Sequence, residues 1–244
     1  DHPTVNSLLT KLSSPNTEQP EFNRLVSTIY NTLFIEAINN EWPLTKVDEP
    51  TRMTEQHPDC LYSGNVLDQS QKGVIIDVAR AGMLPSQIGF DLLCHLVNPS
   101  KLRQDHIFAS RITDENNTVT HTDLSGSKIG GDVDQAIVFI PDPMGATGSS
   151  LATTLSHYKD HVVGTPKKII AIHLIITPEY VKHLTNTHPD LIIYTARLDR
   201  GLSTSDVLST APGTHWDQEK GLNENQYIVP GAGGVGELIN NSFV

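Results

Sequence analysis

The sequence predicts an α/β protein with a mainly parallel sheet flanked by helices. Three observations predict it. Strand-like and helix-like runs alternate from residue 73 onward. The apolar runs at 136–142, 167–177 and 191–199 lack polar alternation, as strands buried on both faces do. Between the first of these and the next helix lies IPDPMGATGSS (140–150), an acid followed by tiny and hydroxyl-bearing residues. Such a loop has little side chain to pack, so its backbone is wanted for something.

The elements follow in order. Phe22, Leu25, Val26, Ile29, Leu33, Ala37 and Ile38 recur at helical spacing and predict an amphipathic helix over 21–42. GVIIDVA (73–79) reads as a strand and 83–97 as a helix. HIFASRI (106–112) reads as a strand, and the polar, Gly-rich stretch 113–135 as a mobile loop or an exposed hairpin. Strands follow at 136–142, 167–177 and 191–199, with helices at 148–161 and 178–188. No internal repeat appears, and one domain over 1–244 is the economical reading. In an open parallel sheet, ligands bind in the loops beyond the carboxyl ends of the strands. Those loops are RAGM after residue 79, PDPMGATGSS after 140, TPE after 176 and DRGLS after 198.

Composition narrows the class. The 244 residues are enough for a core that needs no disulfide or metal staple. With 17 Lys and Arg against 28 Asp and Glu, the formal net charge is −11. That balance argues against non-specific binding to nucleic acid, whose affinity comes from neutralising phosphates. Two cysteines, Cys60 and Cys94, fit a reduced intracellular protein better than a disulfide framework. No run approaches the roughly 18 apolar residues of a membrane span. DHPTVNSLLTKL at the start has no signal-peptide pattern. The expectation is a soluble, cytoplasmic protein with no nucleic-acid or membrane partner.

The loop at 140–150 has the chemistry of a sugar-phosphate site. It hands a strand over to a helix N-terminus, where free N–H groups and the helix dipole favour an anion. Gly145 and Gly148 let the backbone curl, and Thr147, Ser149 and Ser150 add hydroxyls. Asp142 is placed to accept hydrogen bonds from sugar hydroxyls. An ordinary capped turn would share this shape. The Lys of a G-x-x-x-x-G-K-[ST] loop is missing. Near the C-terminus, Gly231, Gly233 and Gly236 match G-x-G-x-x-G, but only eight residues follow Gly236. That leaves no room for a dinucleotide-binding βαβ unit. His157 and His161 have a metal-ligand spacing without a third ligand, and read as solvated side chains. No H-E-x-x-H, C-x-x-C or G-x-S-x-G occurs.

Five segments, in order, resemble uracil phosphoribosyltransferases. DPMGATGSS (142–150) is similar to the family's donor loop, DPMLATGGS. ARAGM (79–83) resembles its LRAG segment, and SRITDENNTV (110–119) the segment opening its flexible hairpin. HPDLIIYTARLDRGL (188–202) resembles the run leading to the base site. ENQYIVPGAGGVGE (224–237) resembles the base loop, ENxYIVPGLGDAGD. The resemblance implies a type I phosphoribosyltransferase-like fold with a flexible hairpin at about 111–135 and a C-terminal base-binding hood. It implies transfer from phosphoribosyl pyrophosphate to uracil, giving UMP and pyrophosphate in pyrimidine salvage. Catalytic roles fall to Asp142, Arg80 and Arg111. Asp142 would hold the ribose hydroxyls, while Pro143, Met144, Gly145, Ala146, Thr147, Gly148, Ser149 and Ser150 would cradle the donor. Arg80 and Arg111 would contact its diphosphate, and Gly234 would also touch the donor. Ile228, Gly233, Gly234 and Val235 would present backbone groups to uracil. Mg²⁺ would ride on the donor with no direct protein ligand, and a homodimer or higher homo-oligomer is implied.

The sequence departs from that pattern at several points. Gly234 stands where the pattern has Asp, and a lost hydrogen bond to a charged group is worth about 1.5–3 kcal/mol. Glu237 keeps a carboxylate, on a longer arm, where the pattern has its second Asp. Gly145 replaces Leu, which is expected to loosen the loop or leave room beside it. Ser149 replaces Gly, so the backbone there must tolerate a Cβ. The segment 203–221 looks inserted, either as a surface excursion or as a cover for the base pocket. These departures leave two alternatives open: a phosphoribosyltransferase-like nucleotide-binding protein with weak or no catalysis, and a transferase for a different base.

Overall fold

The computed structural model describes residues 2–113 and 119–242, the side chains of 110–123 excepted. Two helices lead the chain, α1 (Pro3–Leu12) and α2 (Glu21–Glu41). Pro3 opens α1, where its missing N–H breaks no helical bond. α2 buries the stripe its spacing predicts, from Phe22 and Leu25 to Ala37 and Ile38. The next strands, β1 (Leu44–Glu49) and β2 (Tyr62–Leu67), pair antiparallel as a separate two-stranded sheet. Neither has a buried residue, so no apolar alternation marks them in the sequence.

Then come β3 (Gly73–Ala79), α3 (Met83–Leu96), β4 (Leu102–Thr113), β5 (Val119–Lys128), β6 (Ile137–Pro141) and β7 (Met144–Gly145). They are followed by α4 (Ser149–His161), β8 (Lys168–Ile176), α5 (Pro178–Thr187), β9 (Ile192–Leu198), α6 (Ser205–Leu208) and α7 (Val235–Asn240). β5, β4, β3, β6 and β8 lie side by side in that order, and β7 and β9 also pair with β8. Every pairing in this sheet is parallel except β4 with β5. Of the two readings of 113–135, the hairpin is found: Thr122 stands opposite Arg111 and Lys128 opposite His106. Residues 114–118 lie outside the described residues.

Side chains alternate across the sheet, and both faces are apolar. Ile75, Ile137, Phe139, Ile170 and Ile172 pack against α1, α2 and α3. Val74, Ile76, Val138, Ile140 and Ala171 pack against α4 and α5. This double cover is why the strands read as unbroken apolar runs. The helix after β3 therefore lies on one face and the helix after β6 on the other. The β3–β6 ladder runs only from Gly73–Ile137 to Ile75–Phe139. Beyond it the two strands stop pairing, and a crevice opens where the connections diverge.

The packing of α2 on α3 turns on Gly89. A Cβ there would fall 2.1 Å from the Phe34 ring, which is fully buried and 5.9 Å from the Phe139 ring. Gly89→Val is expected to lower stability by about 1–3 kcal/mol, the range for overpacking. A fall in the urea midpoint at unchanged slope checks it.

Candidate functional site

The crevice at the carboxyl ends of β3 and β6 is a cavity of about 260 Å³. Ala79, Arg80 and Ala81 line one side; Asp142, Met144, Ala146 and Ser150 line another. Ile228 and residues 233–237 close it from the C-terminal segment. Three stretches far apart in sequence thus meet in one place. Of the other loop residues expected there, Pro143, Gly145, Thr147, Gly148 and Ser149 do not line the cavity; they shape the turn beneath it. Ala109 lines the cavity from β4, two residues before Arg111. The Arg111 side chain lies outside the described residues.

Asp142 sits in a break in a strand. β6 and β7 pair with β8 in a single register, Pro141 opposite Ile172 and Met144 opposite Ile175. In the two-residue gap, the Asp142 N–H still donates to the Ile172 carbonyl, and the Pro143 carbonyl accepts from Leu174 and Ile175. The Asp142 backbone is therefore anchored while its half-buried side chain reaches the crevice.

Side chains from β8 and α5 fix this turn from behind. His173 Nδ1 donates to the Asp142 carbonyl, Thr177 Oγ1 to Ala146 at 2.7 Å, and His183 Nδ1 to Thr147 at 2.9 Å. A carbonyl only accepts, so His173 carries its proton on Nδ1 and its Nε2 accepts from the Tyr180 hydroxyl. His173 is fully buried, and burial pushes it down to about 4, so it is neutral at physiological pH. Burial, then the Asp142 charge, holds the Tyr180 hydroxyl well above its ordinary range. Three carbonyls of the turn are thus held from the protein side.

Two departures from the family pattern find their reasons here. A Cβ on Gly145 would lie 2.8 Å from Ile176 and 3.0 Å from the Tyr180 ring. The space beside the turn is filled, which corrects the expectation that Gly145 leaves room beside the loop. Gly148 takes φ +81 as the residue before α4, and Ser149 begins the helix itself, where a Cβ is ordinary. Ser149 N–H donates to Thr147 Oγ1 at 3.2 Å.

The C-terminal segment is pinned by a buried acid. Asp199 accepts from Arg197 Nη2 at 2.8 Å and from the Gly231 N–H at 2.8 Å, and Arg197 also reaches the Gly231 carbonyl. Gly231 has φ +59, and a Cβ there would strike the Ile228 carbonyl at 2.3 Å. Arg80, exposed at the rim, donates to Ser242 Oγ at 2.9 Å. The segment 203–221 contributes no lining residue. It folds against α5 as a surface excursion, with Lys182 5.4 Å from the Trp216 ring centre. Buried Arg200 closes it on Glu219 at 3.1 Å.

Of the other candidates, the His157 and His161 rings stack 4.5 Å apart. Among the described residues no three His, Cys, Asp or Glu side chains group as a metal site, and no helix is long and apolar enough to cross a membrane. Cys60 and Cys94 are both free thiols. The sequence reading missed the roles of His173 and Tyr180. A buried imidazole in an otherwise apolar strand is the signal that marks them.

Fold and pocket define a class: an open α/β protein whose strand-end loops gather at a switch point of its parallel sheet, around a strand-to-helix turn. Comparison with known proteins narrows it. The family model described as uracil phosphoribosyltransferase matches residues 1–217. A uracil phosphoribosyltransferase of Dictyoglomus turgidum is 32% identical over 98% of this chain and 96% of its own length. One from Streptococcus salivarius is 31% identical over 98% of this chain and 94% of its own. The fold is similar to that of the AQ2163 protein from Aquifex aeolicus, with a TM-score of 0.72 and 20% identity over 98% of this chain and 95% of that one. The chain belongs to the uracil phosphoribosyltransferase family.

The buried imidazole gives a pH signature. Its folded value, about 4, lies below the ordinary 6.5, so below pH 6.5 the unfolded chain takes up a proton that the folded chain refuses. Stability from this group is intact above pH 6.5 and falls as pH drops towards 4. Between pH 7 and pH 5 the loss is about 2 kcal/mol. His173→Gln, whose amide can still donate to Asp142 and accept from Tyr180, is expected to lack this share. Urea denaturation of both proteins at the two pH values measures it.

Proposed function

We propose that this chain transfers the phosphoribosyl group of phosphoribosyl pyrophosphate to uracil, releasing UMP and pyrophosphate in pyrimidine salvage. One observation carries the reading: a single crevice, in a chain of this family, gathers Arg80, Asp142, the start of α4 and the glycine-rich stretch 233–236. Asp142 accepts from the ribose hydroxyls, and the turn Met144–Ser150 takes the 5′-phosphate. Backbone groups of Ile228 and of Gly233 to Val235 read the edge of the base. Backbone recognition of a flat polar ring suits a loop of small residues, because donors and acceptors approach without intervening side chains.

The chemistry follows from charge. The anomeric carbon becomes oxocarbenium-like as its bond to the diphosphate breaks. Uracil N1 bonds to that carbon and gives up its proton, which passes through water to the released diphosphate; the diphosphate leaves with the bonding pair. Arg80 and Arg111 hold the leaving group with planar, paired donors. Mg²⁺ carried by the donor neutralises part of the same charge. The β4–β5 hairpin, which carries Arg111, closes over the site and excludes water from the donor.

The test is an assay with labelled uracil, donor and Mg²⁺. UMP and pyrophosphate appearing in equal amounts support the reading. Donor binding without UMP favours a nucleotide-binding protein, and turnover of another base in place of uracil changes the substrate. Asp142→Asn is expected to lower kcat/KM by about 100-fold, from weakened charged hydrogen bonds to two hydroxyls. Its circular dichroism is expected to match that of the wild type. Unchanged turnover in this variant would remove Asp142 from the sugar site.

A further inference from the structure

The cavity lining includes two carboxylates, Asp142 and Glu237, and the roles above use only the first. Glu237 lies in the first turn of α7, three residues after Gly234. A Cβ built on Gly234 would fall 2.3 Å from Glu237 Oε2 and 3.0 Å from its Cδ. The Glu237 side chain therefore folds back into the volume that any side chain at 234 would need. Here glycine serves by what it leaves out, since Gly234 has an ordinary φ of −78. Among the described residues no hydrogen bond or ion pair holds the Glu237 carboxylate.

Its surroundings point to what it meets. A Cβ on neighbouring Gly236 would lie 3.3 Å from that of Ala81, so this loop is seated on the Arg80–Ala81 turn. That is the end of the crevice where Arg80 offers a guanidinium to an anion. A bare carboxylate beside a bound diphosphate is repulsive unless a cation stands between them.

We propose that Glu237, folded into the space kept open by Gly234, is the carboxylate that receives the hydrated divalent cation carried by the diphosphate of the donor. The inference rests on the function proposed above and adds a binding residue to it. Gly234 and Glu237 then form one unit: the acid absent from position 234 is supplied from 237, in the same volume. A side chain at 234 and the present Glu237 conformation exclude each other.

Calorimetric titration of the full chain with phosphoribosyl pyrophosphate, in excess MgCl₂ and again in EDTA, tests this. Glu237→Gln is expected to weaken donor binding about 10-fold in Mg²⁺, the low end for a charged hydrogen bond. In EDTA it is expected to leave binding unchanged or tighter. Equal weakening in both conditions, or no change in either, overturns the proposal. A double-mutant cycle gives a second reading. Gly234→Asp alone is expected to weaken binding, because the new side chain collides with Glu237. Combined with Glu237→Ala, it is expected to bind more tightly than either single variant. Losses that simply add would overturn the shared volume, and circular dichroism checks that each variant is folded. A wild-type protein that binds no donor in Mg²⁺ defeats the proposed function. One that binds and turns over, beside a Glu237→Gln variant equal to it, defeats this inference alone.

Discussion

Between Pro141 and Met144 the pairing of β6 with β8 stops for two residues and resumes in the same register. The rest of the site depends on that gap. A strand that continued unbroken would keep residue 142 in the ladder and turn the next residues into sheet. The interruption puts a carboxylate at the crevice while both flanks stay tied to β8. What stabilises the gap is a buried polar chain, Tyr180 to His173 to the Asp142 carbonyl. Each member is satisfied by the next, so burial does not leave an orphaned group. The chain also couples the Asp142 side of the crevice to α5, whose N-cap Thr177 and whose His183 bond the following turn.

A second buried polar arrangement governs the opposite wall. Asp199 and Arg197, at the end of β9, hold the backbone of Gly231, and through it the loop that closes the crevice. Directly after them, Arg200 and Glu219 close the 203–221 excursion. Buried ion pairs of this kind are weak sources of stability, because desolvation offsets the attraction. Their value here is geometric. Removing Arg197, Arg200 or Glu219 would leave a buried charge without its ion-pair partner, so each fixes one arrangement of its loop. Adjacent residues in one short stretch, TARLDRG, thus anchor the C-terminal loop on one side and the excursion on the other.

The two walls differ in what they demand of small residues. At Gly145 the demand comes from Tyr180 and Ile176, which fill the side-chain space. At Gly231 it comes from a left-handed backbone and the Ile228 carbonyl. At Gly234 the side-chain space is taken by the Glu237 carboxylate, the end of a flexible arm that could swing aside. All three read simply as glycine in the sequence, and all three departures or matches could be explained only once their neighbours were known.

The sequence by itself determined the class of fold, the order of its central elements and two of the strand-end loops that meet at the site, those after residues 79 and 140; the loops after 176 and 198 do not line the cavity. It did so because periodicity and turn chemistry are local: a doubly buried strand must be apolar throughout, and a strand-to-helix turn for an anion must be small and polar. β1 and β2 escaped it, because exposed strands carry no such pattern. The tertiary structure alone decided which distant residues touch. It placed Tyr180 against Gly145, His173 under Asp142, and the 203–221 segment on α5 away from the crevice. Those are contacts across long sequence separations, set by how layers pack, and a linear pattern carries no record of them.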